Sequence, residues 1–145
     1  MNNIKIFATS PNNNVVVAEC EKICNENHIN NGGVLRHTKL YEESDYVIYC
    51  EINNQIVGYM YLSKGFIFKN DIYIEQISVK KSMQKSNIGT AMVNYVKKHF
   101  KQFTYITSNV LPSNEISLNF HKKIGFKHVG YNEYGLTFVY KNQEN

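Results

Sequence analysis

The sequence predicts an α+β fold, with a single mixed, mostly antiparallel sheet and helices on both of its faces. The 145 residues suffice for one domain spanning 1–145, and the hydrophobic share of 43% is typical of a packed core. Segments rich in β-branched and aromatic residues predict strands, whereas apolar residues at helical spacing predict helices. The order is strand and helix, antiparallel meander, then strand-helix-strand-helix-strands, which favours one sheet covered by helices.

The N-terminal part is predicted to form a strand and a helix. Residues 4–8 alternate as in a strand, and Ser10-Pro11 predicts a helix start with proline at the first helical position. The apolar stripe of this helix consists of Val16, Cys20, Ile23 and Cys24. Residues 30–33 break the chain, and residues 34–45 have no clear period, so they are interpreted as loop or short helix.

The remaining elements follow from alternation, turn residues and helical stripes. An antiparallel meander is predicted from strands 46–51, 55–63 and 72–79, with Asn53-Asn54 as the first hairpin turn. A helix over about 87–100 and a strand over 104–110 come next. A last helix begins at Pro112-Ser113-Asn114 and is stopped by Gly125, before strands near 127–131 and 136–140.

Charge and cysteine content exclude several classes of protein. The net charge of +4 suits an anionic ligand, but Lys and Arg are spread along the chain, so no nucleic-acid partner is expected. The three cysteines have no metal-like pairing with a nearby His, so we expect neither a disulfide nor a metal site. With no leader-like or membrane-spanning apolar run, the expected partners exclude membranes and the expected location is cytoplasmic.

The most informative segment runs from Val79 into the helix that follows. An apolar strand leads into the polar loop Lys80–Asn87, and the loop opens directly into an amphipathic helix. The first turn of a helix presents backbone N–H groups without internal partners, and the helix dipole adds positive charge there. This junction is therefore suited to binding phosphate. A strand-to-helix turn capped by Ser86 or Asn87 is the alternative interpretation.

Two motifs resemble those of the GNAT superfamily of acyl-CoA-dependent N-acyltransferases. Gln84, Asn87 and Gly89 resemble its motif A, with Asn87 in place of a glycine. Residues 114–126, from Asn114 to the Lys123-Ile-Gly-Phe126 run, resemble its motif B, and Ile56-Val57-Gly58-Tyr59 is similar to a strand of the family. The resemblance covers nearly the whole chain and implies the GNAT fold.

The resemblance implies an N-acetyltransferase that moves the acetyl group of acetyl-CoA directly to a primary amine of a small molecule. A peptide or protein acceptor, at an N-terminus or a lysine, remains an alternative. A non-catalytic acyl-CoA sensor is the alternative from another class. Strand edges near the C-terminus could pair between subunits, which leaves a homodimer open.

The resemblance also assigns the acetyl-CoA site. Backbone groups of Ile77 and Val79 are expected to bind the pantetheine arm, as an added strand would. Asn114 of motif B is included among the cofactor-binding residues. The loop residues expected around the pyrophosphate are Gln84, Lys85, Ser86, Asn87, Ile88, Gly89 and Thr90. Since Asn tolerates the left-handed region well, Asn87 is predicted to have a positive φ or an N–H that faces phosphate.

Three residues are candidates for the proton transfers. Period-two alternation predicts that Tyr73, Glu75 and Ile77 share one face of their strand, and Tyr73 and Glu75 could handle the amine proton. A solvent-facing Glu75 is equally compatible with the pattern. His121 occupies the motif B position where the family commonly has Tyr, which implies an acid for the departing CoA thiolate. A His packed beside Phe120 without a chemical role is the alternative.

Overall fold

The computed structural model describes residues 3–29 and 40–142, which form seven strands and three α-helices. The strands are β1 Ile4–Thr9, β2 Tyr46–Ile52, β3 Gln55–Lys64, β4 Asp71–Val79, β5 Tyr105–Val110, β6 Lys127–Asn132 and β7 Gly135–Lys141. The helices are α1 Asn14–Ile29, α2 Ile88–His99 and α3 Glu115–Lys123. The sheet order is β1-β2-β3-β4-β5-β7-β6, in which only the β4–β5 pair is parallel. The predicted fold class is confirmed.

Helices cover both faces of the sheet because alternate strand residues point to opposite sides. On one face, Cys20 of α1 packs with Tyr59 and Tyr61 of β3. On the other, Met92 of α2 packs with Met60 of β3, and Phe120 of α3 joins the same apolar cluster. Each large apolar side chain that is fully buried contributes about 1.5–3 kcal/mol. The sheet is therefore held between α1 on one side and α2 with α3 on the other.

The predicted start of α1 at Ser10-Pro11 is wrong. The helix begins at Asn14, and the Asn13 side chain accepts a hydrogen bond from the Val16 N–H at 3.3 Å, as a capping residue does. Pro11 lies instead in a tight turn, closed by the Asn13 N–H donating to the Ser10 carbonyl at 3.0 Å. Proline suits this place because its fixed φ also matches the second residue of a β-turn.

The connections agree with the turn signals where they are described. Asn53 and Asn54 have φ values of 52° and 63°, which is the two-residue hairpin geometry that Asn tolerates. The predicted break at residues 30–33 lies outside the described residues. The end of the ambiguous segment that followed it forms a short 3₁₀ helix, Leu40–Glu43. No helix within 3–29 and 40–142 is long and apolar enough to cross a bilayer.

Strands β4 and β5 separate after a short parallel ladder. Their pairing extends from Asp71 opposite Tyr105 to Ile74 opposite Ser108, whereas β4 itself continues to Val79. The Lys80 N–H donates to the Val57 carbonyl of β3 at 2.8 Å. Since successive backbone groups point to opposite sides, those of Val79 and Ile77 point away from β3 and toward the gap. Beyond Ile74, β4 is therefore no longer paired with β5.

The prediction that Tyr73, Glu75 and Ile77 share one face is wrong. The β3–β4 register shifts where Tyr61 pairs with Gln76 and Leu62 pairs with Ile74, so Glu75 is an extra residue in β4. This β-bulge reverses the alternation beyond it. Ile77 consequently packs with the α2 side of the core, while Tyr73 and Glu75 remain on the opposite face.

Candidate active site

A cavity of about 370 Å³ lies where β4 and β5 separate. Its size is typical of a small-molecule site. The predicted site residues in its wall are Tyr73, Glu75, Ile77, Asn114 and His121. All three candidates for proton transfer therefore line one cavity, Tyr73 and Glu75 from β4 and His121 from α3.

His121 lies on α3, with only 2% of its surface exposed. Its ring contacts Phe126 and Phe138 at centroid distances of 5.4 and 5.2 Å. Nδ1 lies 2.7 Å from the Ser117 carbonyl oxygen, one turn earlier in the helix. A carbonyl can only accept, so Nδ1 carries the hydrogen. Nε2 is therefore the ring nitrogen whose protonation can change.

Burial lowers the pKa of His121 below its ordinary value of 6.5, because the apolar surroundings penalise the cation. The hydrogen bond to the Ser117 carbonyl opposes this effect but does not cancel it. At neutral pH the side chain is consequently neutral, with a lone pair on Nε2. In this state it can accept a proton but cannot donate one from Nε2.

Tyr73 is held by a residue that the sequence analysis did not identify. The side-chain amide of Asn109 on β5 donates to the Tyr73 hydroxyl oxygen at 2.9 Å, and the Thr137 hydroxyl donates to the Asn109 carbonyl oxygen at 3.0 Å. Burial raises the pKa of Tyr73 to about 12. The phenol thus stays protonated at neutral pH, and its own hydrogen can be donated.

Glu75 is positioned by the bulge and by a neighbouring strand. The Ser63 hydroxyl on β3 donates to a carboxylate oxygen of Glu75 at 3.0 Å. The same hydroxyl lies 3.3 Å from the backbone carbonyl oxygen of Glu43. Because the bulge places Glu75 and Gln76 together opposite Tyr61, both of their side chains belong to the cavity wall.

The loop before α2 has the geometry expected of an anion site. Asn87 has φ 63° and immediately precedes the helix, so the predicted positive φ is confirmed. Its side chain makes no capping hydrogen bond, and the first intrahelical bond runs from the Ala91 N–H to the Asn87 carbonyl at 3.0 Å. The N–H groups of Ile88, Gly89 and Thr90 precede that bond, which leaves them available to an anion.

Gly89 also has a packing role. A Cβ atom at this position would lie 3.3 Å from the Phe120 ring of α3. The absence of a side chain therefore lets α2 and α3 approach closely beside the anion site.

The other loop residues are exposed or hold the loop itself. Lys85 and Ser86 are exposed, whereas the Ile88 side chain belongs to the core. The Gln84 amide donates to the Val79 carbonyl at 3.0 Å, and Asn27 of α1 donates to the same carbonyl at 3.0 Å. The predicted Gln84 donor is therefore directed at the end of β4, and the Val79 carbonyl is occupied by side chains.

Asn114 caps α3. Its side-chain oxygen accepts from the Ser117 N–H at 3.2 Å. Asn114 and Ser117 both line the cavity, so the first turn of α3 adjoins it.

Comparison with known proteins agrees with this geometry. The sequence profile of the Acetyltransferase (GNAT) family matches residues 16–126. Among curated proteins, no sequence matches the chain significantly.

Solved structures share the fold at low identity. A GNAT-family acetyltransferase from Staphylococcus aureus Mu50 superposes with a TM-score of 0.79 at 12% identity, over 97% of this chain and 100% of that one. An aminoglycoside 6'-N-acetyltransferase complexed with coenzyme A gives 0.75 at 16% identity, over 97% and 98%. The ribosomal-protein-S18-alanine N-acetyltransferase from Escherichia coli gives 0.68 at 11% identity, over 100% and 96%.

The profile match spans most of the chain, and the seven-stranded sheet and three helices agree with the solved relatives. The cavity lies along β4 where it separates from β5, and the candidate anion-binding loop follows the end of the same strand. The chain therefore belongs to the GNAT family of acetyltransferases, enzymes whose acyl donor is acetyl-CoA.

Proposed function

We propose that this acetyltransferase transfers the acetyl group of acetyl-CoA directly to a primary amine of a small molecule. The observation that carries the proposal is the meeting of Tyr73, Glu75 and His121 at one cavity beside the exposed edge of β4. A cavity of about 370 Å³ suits a small acceptor rather than a folded surface.

The donor would be bound from the α2 end. Backbone N–H groups from Lys85 to Thr90 would surround the pyrophosphate, and each contact with the helix dipole would contribute about 0.3–1 kcal/mol. Several donors must therefore act together. The pantetheine arm would follow the side of β4 that faces the gap, where the backbone groups of Ile77 and the N–H of Val79 would bind it, and it would replace the Gln84 and Asn27 amides if it also bound the Val79 carbonyl.

The acceptor nitrogen must lose a proton before it attacks. An alkyl amine with a pKa near 10.4 is almost fully protonated at neutral pH, which is a handicap of roughly 4–5 kcal/mol. Glu75, which lies on β4 in the cavity wall, would take this proton directly or through a water. Tyr73 cannot serve as the base, because burial keeps it protonated, so its role is to donate a hydrogen bond to negative charge that develops in the cavity.

His121 would complete the proton balance. Attack forms the C–N bond and leaves a positively charged nitrogen in the tetrahedral intermediate. Neutral His121 accepts this proton at Nε2, and the resulting imidazolium delivers it to the thiolate as the C–S bond breaks. With pKa values of about 8.5 for a thiol and 6.5 for imidazole, the second transfer is downhill by roughly 2.7 kcal/mol. The lowered pKa of His121 increases this driving force.

The test is an assay of CoA thiol release with acetyl-CoA and a panel of amines, with mass spectrometry of the products. Acetylated small amines support the proposal, whereas a marked preference for peptides overturns the small-molecule acceptor. An increase in melting temperature with acetyl-CoA but no thiol release from any amine would indicate an acyl-CoA sensor.

A further inference from the structure

We infer that the acceptor carries a second positive charge besides the amine that is acetylated, and that Glu43 binds this second charge. Diamines, polyamines and amino sugars with several amino groups share this chemistry. The inference rests on the proposed transfer to a small amine and specifies its substrate class.

The first observation is the charge of the cavity wall. Glu43, at the end of the 3₁₀ helix Leu40–Glu43, and Glu75 both line the cavity, and the described part of the wall contains no Lys or Arg. His121 is neutral at pH 7, since burial lowers its pKa. The described wall is therefore anionic, although the chain as a whole has a net charge of +4.

The two acidic residues are fixed relative to each other. Ser63 lies 3.0 Å from the Glu75 carboxylate and 3.3 Å from the Glu43 backbone carbonyl. This one hydroxyl therefore connects the 3₁₀ helix to the bulge of β4. The backbone of Glu43 is consequently held close to the Glu75 carboxylate, and both residues line the same cavity.

The second observation is a group of aromatic rings in the same wall. The Phe66 ring packs against the Tyr73 ring with centroids 4.4 Å apart and planes tilted by 34°, and the Tyr134 ring centroid lies 5.7 Å from that of Phe66. Phe66 and Tyr134 are 45% and 44% exposed, so both residues are partly accessible to a ligand in the cavity. Aromatic faces attract organic cations, and the attraction increases where water is excluded.

The place of Phe66 is determined by a buried carboxylate. Asp71 accepts hydrogen bonds from the N–H groups of Phe66 and Ile67, both at 2.9 Å, and from Phe68 at 3.0 Å. The backbone that carries the half-exposed Phe66 ring is therefore held in place by Asp71.

The chemistry of attack explains why the second charge is required. Negative charge beside an amine raises its pKa and therefore makes the neutral nucleophile scarcer. Glu75 compensates by accepting the proton, but a second carboxylate would only oppose deprotonation of the same nitrogen. A group that keeps its positive charge throughout the reaction can bind Glu43 and the rings without that penalty.

The experiment compares linear diamines with linear monoamines of the same chain length, as kcat/KM with acetyl-CoA. The wild-type enzyme is expected to prefer diamines by about fivefold or more, which corresponds to one exposed ion pair. E43Q should lower the ratio of diamine to monoamine efficiency to near one. E42Q is the matched control, because Glu42 is an exposed neighbour that does not line the cavity, and it should keep the wild-type ratio.

A wild-type ratio near one overturns the inference while leaving amine acetylation intact. An equal effect of E42Q and E43Q also overturns it, since the charge would then act without a specific contact. Should E43Q not fold, F66L tests the same site through the rings, and an unchanged ratio in F66L counts against the inference. If neither the diamines nor the monoamines are acetylated, the proposed function fails and the inference fails with it.

Discussion

The Nδ1 atom of His121 lies 2.7 Å from the carbonyl oxygen of Ser117, and this hydrogen bond determines what the imidazole can do in the cavity. It assigns the ring hydrogen to Nδ1, while burial lowers the pKa of the side chain. We therefore expect kcat to fall as the pH decreases through the lowered pKa, which lies below 6.5, because protonation removes the Nε2 acceptor. A resting imidazolium acid would instead make kcat rise over the same range. The pH dependence of kcat, measured with an acceptor amine that stays neutral over this range, distinguishes the two.

The free energy of unfolding, like kcat, should decrease as the pH falls. Since the pKa of His121 is lower in the folded than in the unfolded protein, the unfolded state binds more protons between the two values. The free energy of unfolding should thus be highest above pH 6.5 and decrease as the pH falls from 6.5 to the folded pKa. Comparison of melting curves of the wild type and His121→Phe would isolate this slope, which should be absent in the variant.

His121→Phe should also lower kcat by about 100-fold, the lower end of the range for general acid–base catalysis, with little change in the affinity for acetyl-CoA. Phe preserves the aromatic packing beside Phe126 and Phe138 but has no nitrogen. His128→Phe is the control, because His128 is exposed on β6. Unchanged turnover in His121→Phe would contradict a role in proton transfer.

Tyr73 and Asn109 should act as one unit. Tyr73→Phe keeps the ring that packs on Phe66 but removes the hydroxyl, so kcat should fall by about 100-fold, the lower end of the range for losing one donor to developing negative charge. Asn109→Ala removes the donor that orients this hydroxyl and should have a smaller effect. The double variant should be no slower than Tyr73→Phe, because both changes disable the same hydrogen bond. If the losses in kcat of the two single variants instead multiply in the double variant, Asn109 acts through a contact other than the Tyr73 hydroxyl.

The left-handed conformation of Asn87 leads to a prediction about donor affinity. Asn87→Gly should keep the affinity for acetyl-CoA, because glycine adopts a φ of 63° without strain. Asn87→Val should weaken binding by about tenfold, because the left-handed backbone conformation costs a β-branched residue roughly 1–2 kcal/mol. Calorimetric titration with acetyl-CoA measures both, and equal affinities would show that the turn does not depend on its backbone conformation.

Asp71 should be a major contributor to stability although it lies outside the cavity wall. Its buried carboxylate accepts from three backbone N–H groups and from the Thr107 hydroxyl at 2.7 Å. Asp71→Asn replaces one acceptor with a donor and should lower the free energy of unfolding by about 3 kcal/mol. Asp45→Asn, at an exposed carboxylate that binds the Lys64 N–H, should cost much less. Chemical denaturation of both variants provides the measurement.

The order and bounds of most elements could be predicted because hydrophobic periodicity and turn residues are local signals. The stripe of Cys20 and Ile23 is buried as expected, and Asn53-Asn54 forms its turn. The bulge at Glu75 could not be predicted. An extra residue changes the side of the sheet to which the following side chains point, but it leaves no mark in the composition of the strand. The role of Asn109 was also inaccessible, because its partner Tyr73 lies 36 residues earlier and only the folded sheet brings them together.

The close approach of Phe120 to Gly89 relates the two ends of the proposed donor site. Gly89 belongs to the N–H groups that would bind the pyrophosphate, and the residue after Phe120 is His121, the proposed proton carrier at the thiolate. The packing of α2 against α3 at this point therefore contributes to the distance between the proposed pyrophosphate site and His121. A Cβ atom at residue 89 would lie 3.3 Å from the Phe120 ring, so the ring would have to move by a few tenths of an ångström, directly beside the proposed proton carrier.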